Sequence, residues 1–133
     1  MIDINISSSD NLVYIDVSGR ISHNETLGFL KKYKQLIKTF KPNKYSLVVT
    51  PSIFECENNN DIKTVCMSFF KTGYKKIYLI DPRDYIMSNL SLGNIEKKLF
   101  LRTIKIVNSI KIKYEFIIKG DIYERLSIRR WRD

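Results

Sequence analysis

Cysteine, proline, glycine and histidine are all scarce in this chain of 133 residues, at two, three, five and one. Cys56 and Cys66 are too few for a disulfide framework, and such frameworks belong to oxidising compartments. The chain therefore reads as a reduced, cytoplasmic protein, with a Cys56–Cys66 bridge the one pairing open to it. One histidine, His23, and two thiols do not supply the four clustered ligands of a zinc site. Glycine is too sparse to build a phosphate-cradling loop. No apolar run approaches the roughly 20 residues of a membrane span. The opening Met1-Ile2-Asp3-Ile4-Asn5-Ile6 lacks the basic and long apolar stretches of a secretory leader. Neither a catalytic group, a metal nor a cofactor is expected from what remains.

What is present fits one globular domain. At 133 residues and 44% hydrophobic, the chain can bury a core without staples. Its net charge is +9, unevenly spread. Up to Leu30 acids outnumber bases, whereas Lys31, Lys32, Lys34, Lys38, Lys41 and Lys44 follow with no acid between them. Lys97, Lys98, Arg102 and Lys105 form a second group, and Arg125, Arg129, Arg130 and Arg132 a third. Such an excess attracts nucleic acid, acidic lipid or an acidic protein, or simply keeps helix faces soluble.

Hydrophobic periodicity orders the elements. Ile2, Ile4 and Ile6 alternate with polar residues, as in a half-buried strand. Ser7-Ser8-Ser9-Asp10-Asn11 is turn chemistry, and Leu12 to Ser18 is the second arm of a hairpin. Gly19 is expected to break that strand. Ser22 and Glu25 match a capping box, in which the hydroxyl and carboxylate each satisfy an amide. A helix from His23 to Phe40 follows, with Leu30, Tyr33, Ile37 and Phe40 inward and Lys31, Lys34, Lys38 and Lys41 as a basic stripe beside them. Tyr45 to Thr50 is a central strand stopped by Pro51. Asn58-Asn59-Asn60-Asp61 opens a second helix whose inner face carries Ile62, Val65, Cys66, Phe69 and Phe70, and Gly73 ends it. Ile77 to Ile80 is a strand, Tyr85 to Gly93 holds a short helical turn, and a third main helix spans Asn94 to Ser109 with Ile95, Leu99, Thr103, Ile106 and Ile110 inward. Lys113 to Ile118 reads as the last strand. The order ββαβαβαβ plus a tail predicts an α/β sandwich, with a mixed sheet of about five strands and three main helices. Residues 1–120 are expected to form the domain and 121–133 a basic tail or short helix.

The run Leu12 to Arg20, ending Ser18-Gly19-Arg20-Ile21, then the long helix, then Tyr45-Ser46-Leu47-Val48-Val49, resembles the STAS domain, the SpoIIAA-like fold of anti-sigma-factor antagonists. Phe69-Phe70-Lys71-Thr72-Gly73-Tyr74-Lys75-Lys76-Ile77 also looks like that family's second helix running into its next strand. The order of elements is kept over about residues 2 to 118. Typical antagonists carry a phosphorylatable serine at the start of the second helix. Here that place is Asn58-Asn59-Asn60-Asp61, with no hydroxyl before Thr64. The resemblance implies a divergent, non-enzymatic regulatory or protein-interaction domain without the phosphoserine switch. Its partner face would include Gly19, Arg20, His23, Asn59, Asn60 and Asp61.

Other features are weighed against that reading. His23 lies at a helix start, where a surface or capping role outweighs a general base without a pocket. Glu55, Glu57 and Asp61 form an acidic patch, and Asp81, Arg83 and Asp84 cluster just past a strand end, where open sheets bind ligands but where an Asp-Pro turn is the commoner outcome. Cys66 reads as a buried thiol and Cys56 as a loop thiol open to reaction. The competing function is a nucleic-acid-binding accessory protein using Lys31, Lys34, Lys38 and Lys41 with Arg129, Arg130, Trp131 and Arg132, since arginine and an aromatic grip phosphates and stack on bases. A homodimer is left open.

Overall fold

Alternation of apolar and polar residues builds the first two strands, and the helices then cover one side of them. The structure, a computed structural model, describes residues 1–81, 84–90 and 92–107. Strand β1 (Ile2–Ser7) pairs antiparallel with β2 (Leu12–Ile21), from Ile2 opposite Val17 to Ser7 opposite Leu12. The hairpin turn is tightened by buried Asp10, whose carboxylate accepts from Ser7 Oγ at 3.1 Å. Then come α1 (His23–Leu36), β3 (Ser46–Cys56), α2 (Asn60–Thr72), β4 (Lys76–Ile80), α3 (Tyr85–Asn89), α4 (Asn94–Thr103) and β5 (Ile104–Val107).

The five strands lie in the order β1-β2-β3-β4-β5, with β2 to β5 mutually parallel. The sheet is mixed, as the sequence predicts, and α1, α2 and α4 are its main helices, with α3 a single short turn. Each parallel crossover steps to the next position in the same direction, and crossovers are right-handed, so successive helices fall on one face. The core agrees. Val13, Ile15, Leu47, Val49, Ile77 and Leu79 meet Phe29 and Tyr33 of α1, Ile62 and Phe69 of α2, Ile86 of α3 and Phe100 of α4 in one cluster. The alternate strand positions Leu12, Val48, Tyr78 and Ile80 form a separate buried group on the opposite face. The rings of Phe29, Tyr33 and Phe69 join α1 to α2, with Tyr33 and Phe69 centred 5.3 Å apart at 74°. At the far end of the same helix pair, Tyr33 Oη shares hydrogen bonds with Tyr74 Oη at 2.8 Å and Thr72 Oγ1 at 2.7 Å.

Four boundaries differ from the sequence reading. β2 does not stop at Gly19 but continues to Ile21. Gly19 takes φ +71° where two steps on β2 match three on β3, so its freedom serves a bulge and not a break. Pro51 likewise does not end β3. It lies beside that register shift and beyond the last β3–β4 pair, Val49 with Leu79, which are places where a strand tolerates a missing N–H. α1 ends at Leu36 and not Phe40. Lys38 N bonds Gln35 O and Thr39 N bonds Leu36 O, three-residue closures that tighten the chain out of the helix, so Lys38 and Lys41 stand beyond it. Ile37 and Phe40 still pack on the core, Phe40 edge-on to Tyr45 at 4.8 Å.

The largest difference is at the end. α4 stops at Thr103, and Ile104 to Val107 pair with β4 as β5. The run Thr103-Ile104-Lys105-Ile106-Val107, β-branched at every position but Lys105, explains the switch, because branching at Cβ favours a strand over a helix. The inward face also differs: Phe100 and Ile104 are buried, while Ile95 and Leu99 face outward. The strand expected at Lys113 to Ile118, the division at 120/121, and Ile110 lie outside the described residues.

Candidate partner-binding face

Both α1 and α2 begin at the end of the sheet where β2 and β3 finish. Ser22 caps α1, its Oγ accepting from Glu25 N at 3.1 Å. The other half of the predicted capping box is not made. Glu25 Oε2 accepts instead from Ile2 N at 3.1 Å, tying α1 to the edge strand. The start of α2 is held by backbone closures and by Asn58 Oδ1, which accepts from Asn60 N at 3.0 Å, while Asn59 at the cap makes no side-chain cap bond.

His23 is the first residue of α1 and Asp61 the second of α2. His23 Nδ1 lies 3.0 Å from both carboxylate oxygens of Asp61. The Asp61 side chain is only 7% exposed and that of His23 is 44% exposed. A buried carboxylate thus fixes a half-exposed imidazole between two helix N-termini, which themselves favour the negative charge of Asp61. Alongside, Arg20 Nη1 meets Glu55 Oε1 at 3.0 Å across the β2–β3 ladder, both side chains exposed. Gly19, Asn59 and Asn60 are exposed. The structure therefore joins His23 to Asp61 and leaves Gly19, Arg20, Asn59 and Asn60 at the surface. Asp61 is not a surface contact, and the acidic patch is dispersed: Asp61 is buried under His23, and Glu55 is paired with Arg20. Sequence reading names Arg20 and Glu55 but does not pair them, because a cross-strand pair 35 residues apart needs the register first.

A histidine oriented by a buried carboxylate is also part of a nucleophile triad. Among the described residues no hydroxyl or thiol hydrogen bonds to the His23 ring. The thiols are not activated either. Burial pushes Cys56 up, reinforced by the Asp61 and Glu25 charges, and pushes Cys66 up to about 12. Both cysteines are free. They line an apolar cavity of about 50 Å³ beneath the helices, far below the several hundred Å³ of a small-molecule site. No group of three metal-ligating side chains occurs among the described residues.

Asp81 resolves as structure. It is buried, and its carboxylate accepts from Ile86 N at 3.1 Å and Met87 N at 3.0 Å, holding the start of α3. Asp84 is exposed at φ +55°, and Arg83 lies outside the described residues. Of the basic residues, Lys31 and Lys34 are exposed on α1, and Lys38 and Lys41 are exposed after it, so the predicted single helical stripe is interrupted. Arg129, Arg130, Trp131 and Arg132 lie outside the described residues. No described helix is long and apolar enough to cross a membrane.

No protein-family model matches the chain, and no curated protein matches it in sequence. Solved structures do match in shape. The unphosphorylated form of the anti-sigma factor antagonist SpoIIAA superposes with a TM-score of 0.53 at 9% identity, over 90% of this chain and 99% of that one. An uncharacterized protein of the DUF3478 family with a SpoIIAA-like fold, from Shewanella loihica PV-4, gives 0.50 at 10% identity, over 87% of this chain and 91% of that one. The chain has the SpoIIAA-like, or STAS, α/β fold, as the sequence resemblance implied.

Proposed function

We propose that this chain is a cytoplasmic, non-enzymatic, STAS-like regulatory or protein-interaction domain. It binds a protein partner across Gly19, Arg20, His23, Asn59 and Asn60, with Asp61 beneath His23, and does so without a phosphoserine switch. The observation that carries the reading is the clasp of His23 on Asp61 at 3.0 Å, which pins the starts of α1 and α2 into one surface. Gly19, Arg20, Asn59 and Asn60 supply the exposed contacts, and Asp61 acts by holding His23 in place. Where a switch serine would stand there are only side-chain amides and Asp61. The first hydroxyl, Thr64, lies one turn into α2 and donates to Asn60 O at 3.1 Å. That one solved structure of this fold is an anti-sigma factor antagonist supports a regulatory role for the same scaffold here.

Affinity capture by the wild type and by Arg20→Glu tests the face. A partner retained by the first and lost by the second supports it, and an unchanged partner set contradicts it. A nucleic-acid-binding accessory role is the second reading, favoured by the exposure of Lys31, Lys34, Lys38 and Lys41. Phosphate contacts weaken steeply with salt, so absence of RNA or DNA binding at low salt would remove it.

A further inference from the structure

The outer side of α4 combines two features that the partner face does not use. Ile95 and Leu99, one turn apart, are 77% and 46% exposed. Lys98 and Arg102 stand at three- and four-residue steps from them, on the same outward stripe, and both are exposed. Exposed Lys97 and Lys105 add to the charge nearby. Glu96, the one acid in the helix, is engaged elsewhere: it accepts from Gly93 N at 3.3 Å and lies 4.0 Å from Lys63 Nζ. The result is a ridge of branched aliphatics bordered by cations, while the inner side of the helix is anchored by Phe100 at 1% exposed.

We propose that α4 is a peripheral docking site for an anionic lipid surface. Ile95 and Leu99 enter the headgroup–acyl boundary, and Lys98 and Arg102 pair with headgroup phosphates, the division of labour of an interfacial amphipathic helix. The charge on this stripe is complementary to anionic headgroups and opposes pairing with a second copy of a chain of net charge +9. Nucleic acid fits less well, because this stripe carries no aromatic ring and aliphatics do not stack on bases. A protein groove fits less well, because Ile95 and Leu99 stand on a convex helix ridge, and the cavity of about 360 Å³ on the flank of α4 is lined by Lys97 but by neither of them.

Vesicle sedimentation of the full chain tests the assignment. The expected result is binding to vesicles of phosphatidylglycerol and phosphatidylcholine in equal parts, with little binding to phosphatidylcholine alone. The variant Ile95→Ser/Leu99→Ser keeps the net charge, alters exposed positions only, and should retain the wild-type circular dichroism while losing about tenfold or more in affinity. Lys98→Glu should weaken binding about fivefold or more, and less so at high salt. No binding to the anionic vesicles at low salt would overturn the proposal, as would equal binding to neutral vesicles. Full binding by the serine variant would also overturn it, because the contact would then be charge alone. Inorganic phosphate that displaces the protein at equal phosphate concentration would assign the site to a free anion instead.

Discussion

His23 Nδ1 sits 3.0 Å from both oxygens of Asp61, so the starts of α1 and α2 are joined side chain to side chain. Removing the imidazole leaves a buried carboxylate without this partner, a loss on the order of 1–3 kcal/mol, and the half-exposed ring places it at the low end. His23→Ala should lower the urea midpoint accordingly. His23→Ala combined with Asp61→Asn should cost less than the sum of the two single changes. Strict additivity would show that the pair is not coupled.

A second coupled group lies at the opposite end of the helices. Tyr33 Oη bonds both Tyr74 Oη and Thr72 Oγ1 within 2.8 Å. Tyr33→Phe strips Tyr74 of its partner and should cost about 1–3 kcal/mol. Replacing both tyrosines by phenylalanine should cost less than the two single changes summed, and denaturant titration of the four proteins checks this.

Alkaline pH should loosen the fold. Burial holds the Cys66 thiol neutral up to about 12, against an ordinary value of 9.0. Below pH 9.0 the thiol is protonated in both states and the contribution is fully present. Between 9.0 and about 12 the unfolded chain binds fewer protons, so stability falls as pH rises. Tyr33 and Tyr74, also raised mainly by burial, act in the same direction at higher pH. The urea midpoint of Cys66→Ala should decline less steeply across this window than that of the wild type.

Gly19 has φ +71° with nothing within 4 Å of a Cβ placed on it. Gly19→Ala should therefore cost only the left-handed backbone penalty, roughly 1–2 kcal/mol, and leave the helical content unchanged. A loss several times larger in thermal denaturation would mean that the bulge has no slack.

Period and local chemistry carried most of the fold in the sequence. The two-residue alternation of Ile2, Ile4 and Ile6, the Ser22 cap and the Gly73 terminator at φ +87° are all local, and all stand as the residues predict. What was not legible depends on neighbours distant in sequence. Gly19 and Pro51 read as breaks until the β2–β3 register shows a bulge between them. Ile106 fits a helical stripe as well as a strand, and pairing of Ile104 to Val107 with β4 decides the matter. The same holds for the site. His23 and Asp61 could each be named, but that one clasps the other, and that Asp61 is thereby buried, required two helices to be placed side by side. The outward turn of Ile95 and Leu99 was hidden too, because it depends on Phe100 being the residue that packs on the core.

Partner affinity measured side by side for the wild type, Arg20→Glu and Lys31→Glu/Lys34→Glu tests the proposed face most directly. The Arg20–Glu55 pair is exposed, and such pairs contribute about 0–1 kcal/mol, so Arg20→Glu should keep its fold. A binding face at the end of β2 and the starts of α1 and α2 predicts that Arg20→Glu loses the partner while the lysine variant keeps it. Retention by Arg20→Glu with loss by the lysine variant would contradict the account and place recognition on the basic surface.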